Sequence, residues 1–127
     1  MITIDGSYGE GGGQLVRMSC ALSAFTGRPV RLINVRARRA PPGLAPQHLA
    51  AVQAVAQLCN AETEGLALRT REFTFRPGPI RGGDYRFDVG TAGSITLVLQ
   101  AVLPVALAAL AASTFHVIGG TAVKAAP

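Results

Sequence analysis

The chain has 127 residues, of which 49% are hydrophobic and 15% are charged. This composition excludes an intrinsically disordered chain, and the length excludes two domains of the usual size. A formal net charge of +5 favours anionic partners, namely nucleic acid, nucleotides or phosphorylated metabolites. The two cysteines, Cys20 and Cys59, lie in apolar runs without a CxxC motif, which predicts buried thiols in a reducing cytosol and no structural zinc site.

Nothing in the sequence predicts secretion or membrane insertion. The N-terminus, MITIDG, has neither the basic region nor the apolar region of a signal peptide, so we expect a cytoplasmic protein. Residues 95–112 carry no charge and approach the length of a membrane span. They contain Gln100 and Pro104 and lack flanking basic or aromatic anchors, so we expect a buried helix and no membrane partner.

Periodicity and turn residues predict alternating strands and helices. The predicted elements are a strand at 1–5, a helix at 14–26, a strand at 30–35, a helix at 47–59, one or two strands within 62–76, a strand at 84–89, a helix at 94–112 and a strand at 114–118. This order predicts an α/β sandwich in which helices cover one face of a mixed sheet. We expect a βαβαββ unit over 1–93, a helix and strand that begin a further unit over 94–120, and a tail over 121–127. The ending GGTAVKAAP after the last strand suggests a truncated chain or a fragment.

The first candidate site is the glycine-rich connection between the first strand and the first helix, DGSYGEGGGQ at 5–14. Glycines let a backbone approach a ligand closely, and a helix N-terminus presents N–H groups to an anion. The run matches neither a Walker A motif nor a dinucleotide fingerprint. Glu10 has two interpretations: metal, ribose or arginine binding, or an acid that simply favours the start of a helix, and the pattern alone favours the second.

The second candidate is the basic, proline-stiffened loop RARRAPPGL at 36–44, with His48 behind it. Guanidinium groups bind phosphate oxygens through bidentate hydrogen bonds, and an imidazole donates a hydrogen bond or transfers a proton. For Arg38 the pattern favours an ordinary solvated side chain. For Arg36, Arg39 and His48 the functional and the solvated interpretations have equal weight.

The third candidate is the turn at 88–94, DVGTAGS, followed by the uncharged helix. Ser94 is predicted to cap this helix, and Gln100 is predicted either to hold a ligand base or to bond a backbone carbonyl. His116, on the last strand, is predicted to be structural. No serine or cysteine lies in a pattern that marks an activated nucleophile.

Three long motifs in order and in register, DGSYGEGGGQLVR, RARRAPPGLAPQHL and FRPGPIRGGDYRFDVGTAGSITLVLQAVLP, resemble the RNA 3′-terminal phosphate cyclases. The resemblance covers residues 2 to about 120. It implies an ATP-dependent, Mg²⁺-assisted enzyme of RNA processing that converts an RNA 3′-phosphate into a 2′,3′-cyclic phosphodiester. The reaction passes through an enzyme–AMP on histidine and an RNA-adenylate. It also implies a βαβαββ fold similar to the C-terminal domain of the third bacterial translation initiation factor.

The resemblance also implies site residues. Arg17, Arg39 and His48 are expected to hold RNA or nucleotide phosphates, and Glu10 to lie near the metal or the adenylate. The positions that match the family's active site are Glu10, Gln14, Arg17, Arg36, Arg39 and His48, and Gln100 matches a nucleotide-contacting glutamine. The family's histidine nucleophile lies in its C-terminal region and has no counterpart here, so we expect this chain alone to be inactive.

Two alternatives stay open. Some relatives of the cyclases are non-catalytic ribosome-biogenesis factors that bind RNA. The enolpyruvyl transferases share the repeat architecture, although the order and spacing of the glycine-rich and basic loops argue against them. Self-association through an exposed half-core is a further expectation, with a homodimer as its simplest form.

Overall fold

The computed structural model describes residues 1–7, 13–88, 92–108, 113–118 and 122–125. Its elements are β1 (Ile2–Asp5), α1 (Gly13–Thr26), β2 (Val30–Ile33), α2 (Pro46–Leu58), β3 (Glu62–Glu64), β4 (Phe73–Arg76), β5 (Gly83–Asp88), α3 (Ala92–Ala108), β6 (Ser113–Ile118) and β7 (Ala122–Ala125). The predicted mixed α/β architecture is confirmed. The likeness to the initiation-factor domain stays a prediction.

The first four strands form one mixed sheet in the order β1-β2-β4-β3. β1 runs parallel to β2, whereas β4 runs antiparallel to both β2 and β3. Side chains alternate across the sheet: Val30, Leu32, Phe73 and Phe75 are buried on one face. The exposed face carries ion pairs, for example the one between Arg31 and a neighbouring glutamate. One covered face and one solvated face are typical of a sheet packed against helices on one side.

Helices α1 and α2 each bury one face in the same core as the sheet. The buried side chains of α1 are small, with Val16, Cys20 and Ala24 at helical spacing. The more apolar stripe, Met18, Leu22 and Phe25, lies on the opposite side and is 53–57% exposed. The predicted helix is therefore confirmed, but its larger apolar residues do not enter this core. The homodimer stays a prediction.

The remaining elements form a second sheet in the order β5-β6-β7, with β5 parallel to β6 and β7 antiparallel to it. The prediction within 62–76 resolves into two strands, β3 and β4, which pair with each other. The first sheet and the two helices between its strands thus follow the chain order β1-α1-β2-α2-β3-β4. β5 lies outside this sheet. β7, in the predicted tail, was missed. The division at 93 and 120 stays a prediction.

The uncharged stretch forms α3, which buries Val98, Val102 and Val105 in the common core. The expected buried helix is confirmed by these contacts. Within the described ranges, no helix has both the length and the apolar character that crossing a bilayer requires.

Candidate functional site

The described start of the glycine-rich connection and the basic connection lie at the carboxyl ends of two neighbouring strands of the first sheet. β1 and β2 are parallel neighbours in register, with Asp5 opposite Ile33 at their carboxyl ends. Each strand then runs through a connection into a helix, β1 into α1 and β2 into α2. Carboxyl ends of parallel strands are where α/β proteins commonly bind ligands. The topology therefore brings two of the three candidate motifs together.

The turn after β1 is fixed by a carboxylate. Asp5 Oδ1 accepts hydrogen bonds from the backbone N–H of Ser7 (2.9 Å), from its hydroxyl (2.6 Å) and from Asn34 Nδ2 (3.3 Å). The side-chain bond from Ser7 is the main reason that the pKa of Asp5 lies below its ordinary value. Asp5 thus ties the end of β1 to the start of the basic loop. Glu10 lies outside the described residues.

The basic loop is held between two buried anchors, Val35 and Leu44, which are both fully inaccessible. The Val35 N–H donates to the Arg71 carbonyl (2.9 Å) and the Leu44 N–H donates to the Thr70 carbonyl (2.9 Å). The Arg69 N–H returns a bond to the Leu44 carbonyl (2.8 Å). The loop is therefore anchored at both ends by backbone hydrogen bonds to residues 69–71.

The arginines of this loop have different roles. Arg36 donates from Nη1 to the Gly43 carbonyl (2.8 Å), which closes the loop on itself. Arg38 donates to the Ser7 carbonyl, so it links the loop to the turn after β1. Arg39 is exposed. Burial lowers the pKa of Arg36, and the neighbouring charges of Arg39 and Arg69 lower it further, which shows a cluster of positive charge.

The most specific contact of the site joins Arg17 on α1 to His48 on α2, with 3.0 Å between Arg17 Nη1 and His48 Nδ1. His48 is only 8% exposed. Burial, followed by the charges of Arg17 and Arg36, lowers the pKa of His48 from 6.5 to about 4. The imidazole is therefore neutral at pH 7, and it accepts the hydrogen bond because a guanidinium has no acceptor.

Arg17 also lines a hollow of about 350 Å³ between α1 and α3, together with Gln14 and Gln100. Its walls are otherwise apolar, with Met18 and Pro104 among them. A few polar groups in an apolar hollow of this size are typical of a small-molecule site. The two glutamines that were predicted to bind a nucleotide thus face one space, although they are 86 residues apart in sequence.

The remaining predictions of chemistry have mixed outcomes. α3 begins at Ala92, so Ser94 lies within its first turn and the predicted N-cap position is wrong. Gln100 is exposed, so it needs no buried partner. Cys20 and Cys59 are buried and unbridged, as predicted, and burial raises the pKa of both thiols, which keeps them protonated.

Three residues of the site were missed by the sequence analysis. Gly13 lies against the ring of His48, Gly43 accepts the bond of Arg36, and Arg69 adds positive charge beside the loop. Gly13 was hidden within a run of glycines. Arg69 lies in a stretch of mixed acidic and basic residues, far from the basic loop in sequence, so the sequence pattern did not indicate its role.

The arrangement defines an α/β protein in which a cluster of arginines lies beside a largely apolar hollow. The RNA 3′-terminal phosphate cyclase family matches residues 8–127. The chain belongs to this family. It is 63% identical over 127 residues to the RNA 3′-terminal phosphate cyclase of Nitrosospira multiformis and 58% identical to that of Pyrococcus furiosus. It is 54% identical over 127 residues to the RNA 3′-terminal phosphate cyclase of Archaeoglobus fulgidus. These alignments cover the whole chain but only 36%, 37% and 39% of the respective relatives.

Proposed function

We propose that the chain is the N-terminal part of an ATP-dependent RNA 3′-terminal phosphate cyclase, and that it supplies the grip on the RNA 3′-phosphate. The reaction would convert that phosphate into a 2′,3′-cyclic phosphodiester through an enzyme–AMP and an RNA-adenylate. The observation that supports this role best is the hydrogen bond between Arg17 and the buried His48. It fixes a guanidinium at the edge of the hollow that Gln14 and Gln100 line.

The positive charge of the site fits the chemistry. Bringing a terminal phosphate and a nucleotide phosphate together concentrates negative charge, and fixed guanidinium groups lower that repulsion in the transition state. Arg17 is oriented by His48, and the basic loop is anchored through Val35 and Leu44. Because these groups are already in place, little reorganisation would accompany binding of the anion.

The hollow is the proposed nucleotide subsite. Gln14 and Gln100 would hydrogen-bond the adenine or the ribose, while Met18 and Pro104 would contact the flat face of the base. When bound, ATP would supply the adenylyl group. Among the residues that the structure describes, no three His, Cys, Asp or Glu side chains cluster to hold a metal ion. We propose that Mg²⁺ is held mainly by phosphate oxygens, with Glu10 as the protein contribution.

We propose that this chain alone does not form the enzyme–AMP. Its two histidines are His48 and His116. The Nδ1 lone pair of His48 accepts the bond from Arg17, and His116 lies on β6 of the second sheet. Incubation with labelled ATP, followed by a denaturing gel, should give no acid-labile protein band. Such a band, absent from a His48→Asn variant, would overturn this part of the proposal.

Filter binding with two RNAs that differ only in a 3′-phosphate or a 3′-hydroxyl end tests the proposed grip. A clear preference for the phosphate end, retained as salt is raised, is the expected result. Equal affinity with a steep salt dependence would instead favour a non-catalytic RNA-binding relative, because contacts to the RNA backbone alone ignore the end group.

A further inference from the structure

The imidazole of His48 lies directly against the first residue of α1. A Cβ atom placed on Gly13 would lie 2.0 Å from Cε1, 2.2 Å from Nε2 and 2.3 Å from Nδ1 of His48. Such distances are impossible, so any side chain at this position would displace the ring. His48 is buried, and its Nδ1 lies 3.0 Å from Arg17 Nη1. Moving the ring would therefore separate it from Arg17.

The hydrogen bond also decides where the proton of His48 resides. The guanidinium of Arg17 only donates, so Nδ1 must be the acceptor and carry no proton. A neutral imidazole has one N–H group, which then belongs to Nε2. Nε2 is one of the atoms closest to Gly13, at the N-terminal end of α1. The Nε2–H group of His48 is thus a second hydrogen-bond donor, beside Arg17, and it lies close to the first residue of α1.

We propose that Gly13 is a positioning residue, whose missing side chain seats His48 as the Nε2–H tautomer so that it orients Arg17 and donates a hydrogen bond to the bound phosphate. This inference rests on the proposed function for its ligand. It assigns His48 the role of a neutral donor, and the positive charge of the site then comes from the arginines. Among the described residues, the charged groups that act on His48 are Arg17 from α1 and Arg36 from the basic loop.

A role for Gly13 as an ordinary helix residue predicts the opposite effect of Gly13→Ala on stability. If Gly13 were only a small residue in a helix, Gly13→Ala would stabilise the protein, because alanine favours helices over glycine. If Gly13 makes room for His48, Gly13→Ala should lower Tm by about 5 °C or more. In a His48→Ala background the ring is absent, so the same substitution should leave Tm unchanged or raise it. An equal effect in both backgrounds would overturn the proposal.

Nitrogen NMR of the His48 ring reports which ring nitrogen carries the proton. A purely structural role of Gly13 would leave this tautomer unchanged on substitution. In the wild-type chain Nε2 should carry the proton and Nδ1 should not, at pH 7. In Gly13→Ala the ring should lose this single tautomer and protonate at a higher pH, nearer to its ordinary range. An Nδ1–H tautomer in the wild-type chain, or an unchanged ring in the variant, would contradict the assignment.

Addition of a short RNA with a 3′-phosphate end tests the link to the ligand. We expect the Nε2–H resonance to shift while Nδ1 stays unprotonated. Protonation of both nitrogens on binding at pH 7 would overturn the neutral-donor role. The ring and stability measurements need no RNA, so they can succeed even when RNA binding fails. In that case the proposed function fails and the Gly13–His48 arrangement stands.

Discussion

Arg17 and His48 lie on different helices and meet through a 3.0 Å contact between a guanidinium nitrogen and an imidazole nitrogen. Within the part of the chain that the structure describes, the hydrogen-bond partner of this cation is a neutral acceptor and not a carboxylate. An acidic partner would neutralise Arg17, whereas a neutral histidine orients it and leaves its charge available to an anion. Residues 11–61, which contain both side chains, carry no acid.

The first prediction concerns stability and pH. His48 has a pKa of about 4 in the folded chain and about 6.5 when unfolded. Between these values the unfolded chain binds the extra proton, so folding stability should fall as pH drops from about 6.5 to about 4, by roughly 3 kcal/mol. Urea unfolding across this range measures the change. A His48→Gln variant should lack this component, and an identical pH profile in the variant would contradict the account.

The second prediction concerns the basic loop. Gly43 has φ +87°, and a Cβ there would lie 2.2 Å from the Arg69 carbonyl oxygen. Gly27 has a similar φ of +73° but no atom within 4 Å of such a Cβ. Gly27→Ala should therefore cost about 1 kcal/mol from backbone strain alone, and Gly43→Ala about 3 kcal/mol or more. Equal losses of unfolding free energy in the two variants, measured by urea unfolding, would contradict this prediction, because they would show that the basic loop accommodates the added Cβ at no cost in stability.

The sequence predicted the strands and helices of the first sheet well, because Val30, Leu32 and Phe75 alternate with polar residues and Gly27 ends α1. It did not predict that β5 pairs in a second sheet, since alternation tells which side chains share a face and not which strand is the neighbour. The pairing of Arg17 with His48 was not predictable. Their 31-residue separation says nothing about distance until α1 and α2 pack. The family resemblance named both residues, and only the geometry relates them.

The third prediction concerns the hollow between α1 and α3. Gln100 lines it beside Gln14, so Gln100→Ala should weaken AMP binding by about 2- to 10-fold, the value of one hydrogen bond. Thr96 lies one turn earlier on α3 and is also exposed, which makes Thr96→Ala a matched control. Isothermal titration calorimetry gives both affinities. If the two variants bind AMP as tightly as the wild-type chain, the hollow is not the nucleotide subsite.

The most direct test of the central claim compares Arg17→Ala with Arg28→Ala, which remove the same charge. Arg28 is exposed beyond the C-terminal end of α1 and lies outside the site. The quantity measured is the ratio of affinities for RNA with a 3′-phosphate and RNA with a 3′-hydroxyl end. Arg17→Ala should lower this ratio by about 10- to 100-fold, as expected for a charge-assisted hydrogen bond, while Arg28→Ala leaves it unchanged. Equal loss of both affinities in the two variants would contradict the account.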